Sequence, residues 1–119
     1  EVDVAAWQEH TRYEHCTART PQLGWLWAAV AGWGAERRRQ LLAFVTSSSA
    51  LPAGGFAALR GFNGALHPFT VSLVAVEGDE RLPRASTCFN TLFLPAYSSP
   101  AVLEARLVQA IGGQQAFDE

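Results

Sequence analysis

The five residues Phe69-Thr70-Val71-Ser72-Leu73 alternate apolar with hydroxyl side chains, the period of a half-buried β-strand. Both flanks carry a different rhythm. Upstream, Asp3 is an N-cap for a short helix over Val4 to Tyr13, and Thr20-Pro21 opens a second helix with a cap followed by proline at the first position. Leu23, Leu26, Trp27 and Val30 recur at helical spacing before Gly32 and Gly34 end that run. A third helix is predicted over Ala35 to Thr46, with Leu41, Leu42, Phe44 and Val45 on its buried face and Glu36 to Gln40 on its wet one. Ser47-Ser48-Ser49, Pro52 and Gly54-Gly55 then open a loop, and Gly61-Phe62-Asn63-Gly64 is turn chemistry. After the strand, Glu77-Gly78-Asp79-Glu80 reads as a turn and Asn90 to Leu94 as a second strand. Ser99-Pro100 starts a last helix with Leu103, Leu107 and Ile111 spaced by four, and Gly112-Gly113 is its expected stop. Helices, then strands, then a helix predict an α+β fold, a small β-sheet packed against several helices.

Composition narrows what such a fold can do. With 119 residues, 49% of them hydrophobic, the chain supports one domain with one core. A net charge of −2 argues against a nucleic-acid or anionic-membrane surface, and the one basic cluster, Arg37-Arg38-Arg39, reads as a solvated helix face. No apolar run approaches the roughly 20 residues that span a bilayer, so no membrane insertion is expected. Cys16 and Cys88 are too few for a disulfide framework, which points to an intracellular, reducing compartment. His10, His15 and Cys16 lie close in sequence, but a structural zinc takes four ligands, so no metal is expected and Cys16 reads as a free thiol. Trp7, Trp25, Trp27 and Trp33 read as core or domain-contact residues.

Chemistry concentrates in Leu82-Pro83-Arg84-Ala85-Ser86-Thr87-Cys88-Phe89-Asn90, where one cysteine stands among small, hydroxyl and amide side chains ahead of Leu92-Phe93-Leu94. Upstream come Leu41-Leu42-Ala43-Phe44-Val45-Thr46 and Leu51-Pro52-Ala53-Gly54-Gly55-Phe56, and downstream Leu94-Pro95-Ala96-Tyr97-Ser98-Ser99. Together these stretches resemble, in order and spacing, the C-terminal lobe of the catalytic domain of HECT-type E3 ubiquitin ligases. The resemblance covers nearly the whole chain and implies a fold like that lobe, with the N-lobe and substrate-binding regions outside this sequence. It further implies that Cys88 carries ubiquitin as a thioester received from a ubiquitin-conjugating enzyme (an E2), which docks mainly on the N-lobe, before transfer to a lysine of a protein substrate. Ser86, Thr87, Phe89 and Asn90 would shape the loop around it. Phe117 would be the tail aromatic, with Asp118 and Glu119 as acids assisting transfer. Ser86 departs from the family pattern, where His is usual, and Ser47 and Ala50 stand where glycine and arginine are common. Phe117 lies slightly nearer the end than in the commonest arrangement.

The residues agree with that chemistry on their own terms. Exchange of one thioester for another is nearly thermoneutral, so it needs no ATP site, metal, cofactor or strong base beside the sulfur. No phosphate-binding or dinucleotide loop is present, and no histidine lies within ten residues of Cys88. The second step, attack by an amine with an ordinary pKa of about 10.4, does gain from a nearby carboxylate. Two other readings stay open. A non-catalytic ubiquitin-binding or interaction module would keep the fold without transfer; independently, Phe117 also reads as a C-terminal packing anchor. A cysteine hydrolase would bring His10, His15 or His67 to the sulfur in the folded chain.

Overall fold

The computed structural model describes residues 2–116. Its first helix, α1 (Val4–Glu9), is capped as the sequence predicts: Asp3 Oδ1 accepts from the Ala5 and Ala6 N–H groups at 3.0 and 3.3 Å. The helix is shorter than the expected Val4–Tyr13, because the sheet captures the chain. Thr11 Oγ1 donates back to Trp7 O at 2.7 Å, the Arg12 N–H donates to Phe69 O at 2.9 Å, and β1 (Arg12–Glu14) begins where the helical reading continued.

Helices α2 (Pro21–Gly32) and α3 (Ala35–Thr46) fall where the apolar spacing and turn residues place them. Of the four α3 residues expected inside, Leu41, Leu42 and Val45 are buried and Phe44 is half-buried against the core. β2 (Thr70–Val74), β3 (Arg84–Ser86) and β4 (Thr91–Pro95) complete a four-stranded sheet of order β1-β2-β4-β3, parallel across β1-β2-β4 and antiparallel between β4 and β3. This is an α+β fold with a small sheet against helices. β2 is therefore interior, and its hydroxyl residues are not exposed: Thr70 and Ser72 are buried along with Val71. Thr70 Oγ1 is satisfied by donating to Pro68 O at 2.9 Å.

The last helix, α4 (Pro100–Ala116), starts at Ser99, whose Oγ accepts the Val102 N–H at 3.2 Å. It does not stop at Gly112-Gly113 as expected. Interior glycine costs only about 1 kcal/mol of helix preference, and Leu103, Leu107 and Ile111, all fully buried, tie the helix into the core beside α2 and α3. At the centre of that core Trp7 stacks on Phe56 at 5.3 Å and meets Trp27 and Phe69 edge-on. Trp7, Trp27 and Trp33 are buried and Trp25 half-buried, as core tryptophans should be.

The register assigns the sheet's two faces. Tyr13, Val71, Leu92 and Ala85 align across the four strands on the helix-covered face. On the other face run Arg12, Thr70, Thr91 and Ser86, then Glu14, Ser72, Phe93 and Arg84.

Candidate active site

The antiparallel strands β3 and β4 are joined by one turn of 3-10 helix, Thr87–Phe89, with Cys88 at its middle. Thr87, Cys88 and Phe89 are exposed and Ser86 is half-buried. Both cysteines are free. The turn ends in Asn90, which is 2% exposed and lies in the left-handed region at φ 49°, ψ 41°. Asparagine tolerates that region better than most side chains. Its amide Nδ2 donates to Arg60 O at 3.1 Å and His67 O at 2.9 Å, while its own carbonyl accepts the Thr70 N–H at 2.9 Å. Thr91 Oγ1 donates to Phe89 O at 2.9 Å. The cysteine loop is thus held by residues on either side of the sulfur.

A second segment, residues 59–67, forms the other wall. It is braced on itself through an Arg60–Leu66 bridge, the Gly61 N–H to Ala65 O at 2.9 Å, Arg60 Nη1 to Gly64 O at 2.7 Å and the His67 N–H to Leu59 O at 2.8 Å. It reaches the cysteine directly: the Phe62 N–H donates to Cys88 O at 2.9 Å. Gly61 is close enough that a Cβ there would stand 3.0 Å from the same oxygen. The Phe62 ring meets Phe89 edge-on at 5.2 Å, and His67 tilts against Phe89 at 5.7 Å. From the sequence this segment was legible only as a turn, since nothing local links Asn63-Gly64 to a loop more than twenty residues further on.

Among the described residues, none hydrogen-bonds to Cys88 Sγ. The fold does carry His67 to the Phe89 side of the loop, but its Nε2 faces Arg12 Nη2 at 3.4 Å. A guanidinium can only donate, so that nitrogen accepts. His10 Nδ1 pairs with Ala6 O at 3.0 Å. Among the described residues no imidazole hydrogen-bonds to the Cys88 thiol, the contact a hydrolase would use. A shallow cleft of about 270 Å³ on the outer sheet face, lined by Glu14, His67, Ser86, Phe89, Thr91 and Phe93, opens beside the turn.

Cys16 contrasts with Cys88. It is half-buried, its thiol donates to Glu14 O at 3.3 Å and Val71 O at 3.7 Å, and burial pushes its pKa up. Among the described residues no group of three His, Cys, Asp or Glu could hold a metal ion, and no helix is long and apolar enough to cross a membrane.

Residues 1–119 match the HECT-domain (ubiquitin-transferase) family over their whole length. The chain belongs to this family. It is similar to E3 ubiquitin-protein ligase Smurf1 of Drosophila melanogaster, 44% identical over 112 residues, covering 92% of this chain and 11% of that protein. It is similar to E3 ubiquitin-protein ligase NEDD4 of Homo sapiens and of Rattus norvegicus, each 44% identical over 119 residues, covering 99% of this chain and 9% and 13% of those proteins. The chain therefore spans about a tenth of the length of these relatives. Of the HECT residues the sequence singles out, the fold gathers Ser86, Thr87, Cys88, Phe89 and Asn90 into one exposed turn. Phe117, Asp118 and Glu119 lie outside the described residues.

Proposed function

We propose that this chain is the C-terminal lobe of a HECT catalytic domain, and that Cys88 accepts ubiquitin and passes it to lysine. In the first step the Cys88 sulfur attacks the thioester carbonyl joining the ubiquitin C-terminus to a conjugating enzyme. A carbon–sulfur bond to Cys88 forms, the bond to the conjugating enzyme's sulfur breaks, and that thiolate takes up the proton Cys88 gave. In the second step a substrate lysine, as the free amine, attacks the new thioester. An isopeptide bond forms, Cys88 leaves as thiolate, and the proton of the amine passes to a base. A thiolate is a competent nucleophile and leaving group for both steps without cofactor or metal.

The observation that carries this reading is the placement of Cys88: exposed on a turn gripped through its backbone, with nothing among the described residues bonded to its sulfur. A macromolecular acyl donor can reach such a thiol, whereas a core cysteine resembles Cys16. Thr87 and Ser86 offer hydroxyls at the rim, and Phe89 and Asn90 fix the loop. The conjugating enzyme docks on an N-lobe, substrate selection lies elsewhere in the longer protein, and Phe117, Asp118 and Glu119 assist the second step. The chemistry belongs to a reducing, intracellular compartment, because an oxidised Cys88 carries nothing.

Ubiquitin bearing a thiol-reactive group at its C-terminus tests the reading. Adduct formation is expected on the natural protein and on Cys16→Ala, and is lost with Cys88→Ala. Release of free ubiquitin from a model ester, followed in parallel, should be negligible. Adduct on Cys88→Ala, or rapid ester hydrolysis, would contradict transfer. Ubiquitin binding without any Cys88 adduct in the full-length protein would favour a non-catalytic binding module.

A further inference from the structure

Phe62 is the most exposed large apolar side chain among the described residues, at 69%, and Phe89 beside it is 46% exposed. The pair flanks Cys88, and the segment that carries Phe62 touches three consecutive residues of the turn in three different ways. Its Phe62 N–H holds the Cys88 carbonyl at 2.9 Å. The Phe62 ring sets the Phe89 ring edge-on at 5.2 Å and 83°. The Arg60 and His67 carbonyls take both protons of the Asn90 amide. Gly61 leaves no slack, since a Cβ there would press on the Cys88 oxygen at 3.0 Å. Among the described residues no group hydrogen-bonds to the sulfur, so its position follows the backbone that carries it, which this segment holds together with Thr91 and helix α3.

We propose that Phe62 is a positioning residue for Cys88, with residues 60–67 acting as a rigid clamp that aims the thiol at an incoming ubiquitin thioester. This rests on the reading of Cys88 as the ubiquitin acceptor and adds to it the element that orients the nucleophile. Exchange between two thioesters demands approach to a carbonyl along a narrow path, and misplacement by about 1 Å can cost on the order of a hundredfold in rate. A small alkylating reagent has no such demand, because it turns freely to meet the sulfur. The clamp therefore separates two reactivities of one thiol.

The experiment uses the full-length natural protein and compares Phe62→Ala, Phe62→Tyr, Gly61→Ala and Cys88→Ala. Two rates are read at Cys88: loading with ubiquitin from a charged conjugating enzyme, and alkylation by iodoacetamide. The expected result is loading slowed by about tenfold in Phe62→Ala and in Gly61→Ala, recovery to near the natural rate in Phe62→Tyr, alkylation within about twofold in all three, and neither reaction at position 88 in Cys88→Ala. The exposure of Phe62 makes loss of folding in its variants unexpected, and Gly61→Ala acts on Cys88 O by an independent route. Natural-rate loading in both Phe62→Ala and Gly61→Ala would overturn the positioning role and leave the acceptor reading intact. A parallel fall in loading and alkylation would overturn it too, since the ring would then govern access to the thiol. Failure of the natural protein to load at Cys88 would overturn both.

Discussion

Asn90 holds a backbone conformation that disfavours most side chains, and it spends its buried amide on two carbonyls from a distant loop. Both properties can be removed separately. Asn90→Gly keeps the left-handed backbone and leaves two carbonyls short of a partner, while Asn90→Ala adds the cost of an L-residue at positive φ. Unsatisfied buried groups cost about 1–3 kcal/mol and the left-handed penalty is about 1–2 kcal/mol. Urea denaturation should therefore rank natural protein, then Asn90→Gly, then Asn90→Ala, with the alanine variant destabilised by about 2–4 kcal/mol. The sequence marks Asn90 as a hydrogen-bonding member of the cysteine loop. Its partners, Arg60 and His67, were not legible, because no local pattern reports on contacts 23 and 30 residues away.

Tyr97 poses the titration question at the same scale. It is fully buried, its hydroxyl donates to Arg81 O, and burial pushes its pKa from 10.0 to about 12, with Arg106 opposing and Asp79 adding to the shift. Between pH 10 and 12 the folded state keeps the phenol proton that the unfolded chain has lost. Stability from this group is complete below about pH 10 and falls as pH rises through 12. Phe at position 97 should cost about 1–2 kcal/mol near neutrality through the loss of the bond to Arg81 O. The loss of stability from pH 9 to 12 should be shallower in Tyr97→Phe than in the natural protein, measured by denaturation at each pH. Equal slopes would place the alkaline loss on Tyr13 or Cys16, whose pKa values burial also raises.

Among the elements, those with their own periodicity were legible and those formed by pairing were not. α2 and α3 carry apolar residues at helical spacing between clear start and stop residues, and the structure returns both at the expected places. β1 and β3 are three residues each, Arg12–Glu14 and Arg84–Ser86, too short to show alternation and mostly polar. They are strands only because β2 and β4 offer free backbone partners. The end of α3 makes a separate prediction. Ser47 terminates it at φ 67°, and no side-chain packing depends on it, since it is exposed. Glycine enters that conformation without steric cost, so Ser47→Gly should stabilise the fold by about 0.5–1 kcal/mol, read as a raised urea midpoint with unchanged slope. A neutral or negative effect would mean that the Ser47 side chain contributes something the hydrogen-bonding geometry does not show.

At the scale of the molecule, the candidate site is assembled from segments that the chain order keeps apart. Residues 60–67, 86–91 and 12–14 meet at one end and one face of the sheet, because parallel pairing of β1, β2 and β4 brings their starts together. The radius of gyration, 13.4 Å, matches the roughly 13.5 Å of a compact domain of this length. Helices fill one face of the sheet, and the turn at the β3–β4 end leaves the free thiol of Cys88 exposed. The most direct test charges a conjugating enzyme with ubiquitin, adds the full-length natural protein, and resolves the products without reductant. The account predicts a ubiquitin adduct on the protein that a thiol reductant cleaves, that persists in Cys16→Ala and that disappears in Cys88→Ala. Ubiquitin transferred to substrate at an undiminished rate by Cys88→Ala would contradict it.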